Sequence, residues 1–292
     1  MKKNKTVNFF IHIIFVLLCL TFVVPMLYVI SVSFMSQAEI EEFGYRLFPN
    51  KISLDAYRYV FKDTSQLVDS YMVTGFTSIV GTLLSVLVMA MVAYPLSRDS
   101  FYYKKPLTYF ITFTMFFSGG LIPSYIINTQ LLGLGNSIWV YILPSLASAY
   151  HIIIIRTFFQ KLPKSLIESA KLDGASELRI FSNIVLPLSK PVIATIALMT
   201  MLAKWNDWNT SLIYIRDQKL YSLQYLLQKI LREVEFMKSV ADSGMNISLQ
   251  NDIPTEPARF AMVIIAAGPM LVIFPFFQKY FTRGLTIGAV KG

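Results

Sequence analysis

The chain has 292 residues, of which 55% are apolar, 14% aromatic and only 15% charged, and its mean hydropathy is +0.56. A soluble domain carries about 25% charged residues, so this composition excludes a soluble globular protein, a disordered chain and a collagen-like fibre. The net charge of +9, from 26 Lys and Arg against 17 Asp and Glu, would suggest nucleic acid in a soluble chain. In a polytopic membrane protein its placement reports topology instead.

A helix needs about 20 mostly apolar residues to cross the hydrocarbon core. Six stretches qualify, at about 9–33, 71–96, 107–127, 138–155, 191–214 and 258–281. They predict an all-α polytopic fold of six transmembrane helices, with residues 1–292 as a single transmembrane domain. The first run follows MKKNK, as a signal peptide would. It is longer than the apolar region of a signal peptide and no small-residue cleavage site follows it, which predicts a retained span. It also holds the single cysteine, Cys19, so neither an intrachain disulfide nor a thiolate metal cluster is available.

The connections alternate in charge. The first holds four basic residues against six acids, the third has no charge, and the fifth (about 216–256) has five basic residues against six acids. Basic residues collect in the others: Lys2, Lys3 and Lys5 at the start, Arg98, Lys104 and Lys105 in the second connection, and Lys279, Arg283 and Lys291 at the end. The fourth carries Arg156, Lys161, Lys164, Lys171, Arg179 and Lys190. Positive loops stay on the untranslocated side, so both termini are expected in the cytoplasm.

Two spans carry unusual groups. Ser118, Gly119, Gly120 and Pro123 loosen the backbone of the third, as a bend lining a passage or a close-packing site would. Met115, Phe116 and Phe117 beside them could form an apolar gate or face lipid and core. The fifth contains Lys204, Trp205, Asn206, Asp207, Trp208 and Asn209. Ionisable groups inside a span are costly and usually face protein or water. Lys204 and Asp207, at i and i+3, are placed to pair. The cluster reads either as a translocation wall, with indoles stacking on sugar rings and Asn and Asp binding hydroxyls, or as an interfacial belt. The fifth connection carries a helical stretch at Leu223, Leu226, Leu227, Ile230 and Leu231. His12 and His151 have no partner spacing for a metal or a nucleophile, so neither catalytic nor metal residues are expected.

No inner segment is long enough for a catalytic domain, and no G-x-x-x-x-G-K-[ST] loop is present, so any ATP must be held by a partner. The segment 161–190 divides into two short helices. Ser165 and Glu168 fit a capping box, Gly174 fits a left-handed helix stop, and Ser176 fits the cap of a second helix. Leu178, Phe181, Val185 and Leu188 would form one apolar face of that helix. Such a pair suits docking in a partner's groove, or lying on the membrane surface as a connector.

Here the residues carry a resemblance. Glu168-Ser169-Ala170, then Asp173-Gly174-Ala175, and later Phe181, Ile184, Leu186 and Pro187 resemble the EAA-loop signature of ABC importer permeases, with Ser169 in place of the commoner alanine. SGGLIPSY at 118–125, KWNDWNTSLIYI at 204–215 and RGLTIGAVKG at 283–292 are similar to its carbohydrate-uptake branch, the MalG-like and LplC/YtcP-like permeases. The resemblance implies a multi-pass permease subunit of the bacterial inner membrane that imports an oligosaccharide by alternating access. It implies a homologous second permease, two copies of an ATPase that binds ATP and magnesium, and an external sugar-binding protein. Glu168 to Ala175 would insert into the ATPase, residues 286–292 could dock nearby, and the 216–256 loop could reach the binding protein. Ser118, Gly119, Gly120 and Trp205 to Asn209 would line the substrate path. A permease for glycerol phosphate and a membrane-embedded enzyme are the competing readings.

Overall fold

A computed structural model of the chain describes residues 5–62, 64–242 and 254–289, and among these there is no strand. Helix α1 (Lys5–Ser33) supplies a continuous apolar run, Asn8–Ser33, of 26 residues. At about 1.5 Å per residue it can cross a bilayer core of about 30 Å. Two short helices follow, α2 (Gln37–Phe43), capped by Ser36, and α3 (Asp55–Val60). Helix α4 (Thr64–Ser97) is a second uninterrupted span, ending two residues after Pro95.

The third span is broken. Helix α5 (Lys104–Phe116) and α6 (Leu121–Ile126), which continues as a wide π turn over Ile127–Leu131, meet at 112°. The break falls where the sequence places Ser118, Gly119 and Gly120. Gly120 has φ +85°, a left-handed conformation that disfavours any side chain. The fourth span runs as two tight 3₁₀ turns, Ile138–Tyr141 and Leu143–Ser145, then bends by 50° into α7 (Ala149–Gln160). Pro144 in the second turn and Ser148 as the cap of α7 account for the interruption.

Helices α8 (Lys164–Leu172), α9 (Glu177–Ile180) and α10 (Leu186–Leu188), with a π turn at Phe181–Val185 between the last two, form the predicted two-helix segment. Helix α11 (Lys190–Trp205) then departs at 81°. The fifth span expected over 191–214, whose apolar run Lys204 and Asp207 interrupt, is divided at 206–208, and α12 (Asn209–Tyr214) resumes beyond the break. At the restart Asp207, one residue ahead of the N-cap position held by Trp208, accepts the Thr210 amide on its Oδ1 at 3.0 Å and so satisfies a free donor in the first turn of the new helix. Helix α13 (Leu223–Asp242) is amphipathic, burying Leu223, Leu226, Leu227 and Val234. Helix α14 (Thr255–Ala289) carries the last span, apolar over Thr255–Phe276. Among the described residues, three uninterrupted helices and three bent pairs make six spans when each pair counts as one.

The chain falls into two compact units. In the first (residues 1–67 and 227–269), Val32, Met35 and Ile40 form a buried cluster against Tyr28 and Phe260. The Gln37 side chain accepts the Glu256 amide at 3.0 Å, and Arg259 reaches Glu235 and Glu256 at 3.3 and 3.5 Å. In the second (68–226 and 270–292), the inner half of α4 packs through Met89, Ala93 and Leu96 against Ile152 and Ile155 of α7 and Ile180 and Val185 of the two-helix segment. A separate cluster holds Val73, Tyr141, Ile142 and Ile215.

Candidate functional site

The segment 161–190 is built from local rules, with two departures from expectation. The first helix starts directly after Pro163, as expected, but no side chain caps α8. Ser165 already sits inside the helix, where it cannot adopt the extended backbone of a cap, so the expected Ser165–Glu168 capping box does not form. Glu168 is exposed.

The end of α8 follows the expected geometry. Gly174 has φ +74°, its amide donates to the Lys171 carbonyl at 3.0 Å, and the Ala175 amide donates to the Ala170 carbonyl at 2.9 Å. That pair of bonds is the Schellman closure, which needs a left-handed residue where Gly174 stands. A Cβ at Gly174 would meet nothing within 4 Å, so the requirement for glycine comes from the backbone alone.

The second helix begins at the expected cap, with Ser176 Oγ accepting the Arg179 amide at 3.4 Å. Its expected apolar face is only half realised. Phe181 and Val185 are buried, but Leu178 is 70% exposed and Leu188 45%. The buried face is centred on Ile180, Phe181 and Val185. Leu178 lies in the first turn, ahead of that packing, and the wide turn at Phe181–Val185 rotates Leu188 away. In α8 only Ile167 is buried, whereas Leu172 is 90% exposed. Two leucines therefore stand on either side of the Gly174 bend with their apolar surface uncovered.

The segment is fastened to the inner end of α4. Tyr94 Oη donates to Glu177 Oε2 at 2.6 Å, and its ring lies 5.2 Å from that of Phe181. The Arg98 guanidinium sits 4.8 Å over the Tyr94 ring and donates to its hydroxyl at 3.2 Å. Lys171 pairs with Glu177 across the bend. Asp99 accepts from Lys104 at 2.9 Å and from Lys164, and these two lysines hold its carboxyl down at about 2. A cavity of about 340 Å³, lined by Arg98, Asp99, Lys164, Ile167, Glu168 and Lys171, lies between α8 and the end of α4.

The intramembrane cluster is arranged differently from expectation. Lys204 does not turn toward Asp207. Its Nζ donates to the Tyr141 carbonyl at 3.2 Å and to Ser145 Oγ at 2.7 Å, in a buried position, while Asp207 accepts the Thr210 amide of α12. Unwinding of the fourth span into 3₁₀ turns exposes the carbonyl that Lys204 takes, and Gly81 on α4 leaves room for its stem. A Cβ at Gly81 would lie 2.8 Å from both Cδ and Cε of Lys204.

Trp205 is buried, 6.5 Å ring to ring from Tyr71, whereas Asn206, Trp208 and Asn209 are exposed and Asp207 is half-buried. Asn206 donates to the Leu202 carbonyl at 2.9 Å and accepts from Gln224 at 3.3 Å. Ser118, Gly119 and Gly120 are exposed at the break in the third span, where Ser118 Oγ accepts the Gly120 amide at 3.3 Å. The rings of Phe113 and Phe117 stack at 4.3 Å beside it. His151 lies in the first turn of α7, its amide on Ser148 Oγ, and His12 bonds the Asn8 carbonyl one turn back. The 216–256 loop and the end of the chain are covered in part: residues 243–253 and 290–292 lie outside the described residues.

A helical membrane protein with broken spans, polar groups at the breaks and an exposed two-helix insertion on one side has the build of a transport subunit. The chain matches the family described as "Binding-protein-dependent transport system inner membrane component" over residues 70–287, and it belongs to that family. It is 37% identical to the polygalacturonan/rhamnogalacturonan transport system permease protein YtcP of Bacillus subtilis (strain 168), over 99% of this chain and 100% of that one. Protein LplC of the same organism is 40% identical over 92% of this chain and 90% of its own length. The structure superposes with a TM-score of 0.81 and 26% identity on a chain from the crystal structure of a bacterial ABC transporter involved in import of the acidic polysaccharide alginate, covering 96% of this chain and 98% of that one. The chain is thus an inner-membrane permease subunit of an ABC importer and not an enzyme, which sets aside the membrane-embedded enzyme considered from the sequence.

Proposed function

We propose that this permease imports oligosaccharides, with fragments of acidic polysaccharides as its cargo, and that an ATPase drives it through the bend at Gly174. The cargo reading rests on the relatives, whose names specify polygalacturonan, rhamnogalacturonan and alginate. The chain works beside a homologous second permease, two ATPase copies that hold ATP and magnesium, and an external sugar-binding protein. Its termini and the segment 161–190 face the cytoplasm, where the basic loops collect. Ser118 to Gly120, and Trp205 to Asn209 at the break in the fifth span, line the route of the sugar, with the loop around α13 facing the binding protein.

One observation carries the coupling reading. Leu172 and Leu178 leave their side chains 90% and 70% exposed on the two sides of a stiff, glycine-closed turn. Burying one leucine contributes about 1.5–3 kcal/mol, so an apolar cleft on a partner is the complement of this surface. Glu168, Ser169 and Asp173 are exposed beside this surface, while Ala170 and Ala175 back it, half-buried against the core. Leu172→Asp is expected to weaken retention of the ATPase during affinity purification by at least about tenfold, the equivalent of about 1.4 kcal/mol. The variant subunit should still insert and bind the second permease. Undiminished recovery of the ATPase with Leu172→Asp would remove the coupling role.

A further inference from the structure

We propose that Tyr94 and Glu177 form a clamp that makes the coupling segment and the span α4 move as one body, with Lys171 and Asp99 as its auxiliaries. The inference rests on the coupling reading above and assigns positioning residues for it. The Gly174 turn is closed by its own two backbone bonds and fixes α9 against α8, but those bonds lie within the segment and do not tie it to α4. The apolar packing of Ile167 and Ile180 resists separation but not sliding, because dispersion contacts have no direction. A directional bond is needed to convert a push on Leu172 or Leu178 into displacement of a span.

The structure contains such bonds on both sides of the turn. Lys164, at the start of α8, pairs with Asp99 just past α4. Glu177, at the start of α9, accepts the Tyr94 hydroxyl at 2.6 Å and pairs with Lys171 at the end of α8. Glu177 thereby closes a triangle of α4, α8 and α9. The parts are unequal. Asp99 and Lys164 are 67% and 71% exposed at their side chains, and such a pair contributes little to rigidity in water. Tyr94 is 9% exposed and is held from its other face by Arg98, so its bond to a carboxylate is the strong member. The cation on its ring also fixes the direction in which the hydroxyl points.

The test uses the whole transporter, with its ATPase and companion permease. Nitroxide labels at Tyr102 and Ser182, in a Cys19→Ser background, report the separation of the α4 end from the second helix by pulsed electron resonance. Spectra are taken without nucleotide and with ADP and vanadate. Tyr94→Phe keeps the ring against Phe181 and removes only the hydroxyl, and Glu177→Gln removes only the charge. The unmutated subunit is expected to give one narrow distance in both states. Each variant should broaden it and lower the stimulation of ATP hydrolysis by the binding protein about tenfold, the loss expected for one charged hydrogen bond, with the basal rate retained. The losses in the double variant should be less than additive, because both substitutions weaken the Tyr94–Glu177 bond. Unchanged distances and unchanged stimulation in both variants would overturn the clamp alone. Failure of any ATPase to assemble with the unmutated subunit would overturn the coupling reading beneath it.

Discussion

Replacing Gly174 with valine is expected to abolish most of the stimulation of ATP hydrolysis by the binding protein while the subunit remains in the membrane. Gly174 sits at φ +74° with nothing within 4 Å of a would-be Cβ. Valine therefore meets no neighbour and is opposed only by its own backbone, at about 1–3 kcal/mol for a residue in this region. Relaxation to a right-handed conformation would break the Gly174-to-Lys171 and Ala175-to-Ala170 bonds and swing α9 away from α8. On a tenfold change per about 1.4 kcal/mol, the docked geometry becomes about ten- to a hundredfold rarer. Asparagine tolerates the left-handed region, so Gly174→Asn should retain most of the stimulation. Equal loss with both residues would point to a requirement for smallness at a contact; full stimulation with valine would deny the turn any role.

The second large effect is expected where α4 packs on the fifth span. Gly81→Val should lower the thermal midpoint of the subunit sharply, because its side chain would occupy the path of the Lys204 stem, 2.8 Å from Cδ and Cε. Lysine side chains are flexible, but this one is pinned by bonds to the Tyr141 carbonyl and Ser145 Oγ. Moving it strands a buried ammonium, at about 3–5 kcal/mol. Lys204→Met alone should cost far less, since an apolar side chain of similar volume avoids desolvating a charge. Ser145 Oγ can still donate to the Tyr141 carbonyl, at 3.1 Å. Combined with Lys204→Met, Gly81→Val should be largely tolerated. Thermal unfolding of the four proteins in detergent checks the cycle, and a double variant as unstable as Gly81→Val alone would contradict it.

What could be read from the residues depended on how local the physics is. The first, second and last spans are continuous apolar runs, and nothing in the structure interrupts them. The break at Ser118–Gly120 was legible because Gly120 adopts a conformation open chiefly to glycine. The break at 206–208 was not: Asp207 looked like an ion-pair partner of Lys204, and its alternative use as acceptor of the Thr210 amide depends on where the helix has already ended. Ser165 and Glu168 failed as a capping box for a related reason, since the helix begins directly after Pro163 and Ser165 already lies inside it. The contacts that fasten the coupling segment were beyond local reasoning altogether. Tyr94 and Glu177 are 83 residues apart, and Asp99 and Lys164 are 65 apart. Gly81 carried a faint sign, because Ser70, Thr74, Ser78, Thr82 and Ser85 recur around it on one face of α4, and all are buried. Such a row of small residues marks close packing against a neighbouring helix, but not which side chain fills the gap.

The most direct test of the account is site-specific cross-linking from the coupling segment. A cysteine at Leu172, in a Cys19→Ser background and in the assembled transporter, should cross-link to the ATPase subunit, and the yield should change between the nucleotide-free and vanadate-trapped states. The same cysteine at Tyr102, exposed on the neighbouring connection, should cross-link far less. No adduct with the ATPase from Leu172 in any nucleotide state would contradict the claim that power enters this permease at the Gly174 bend.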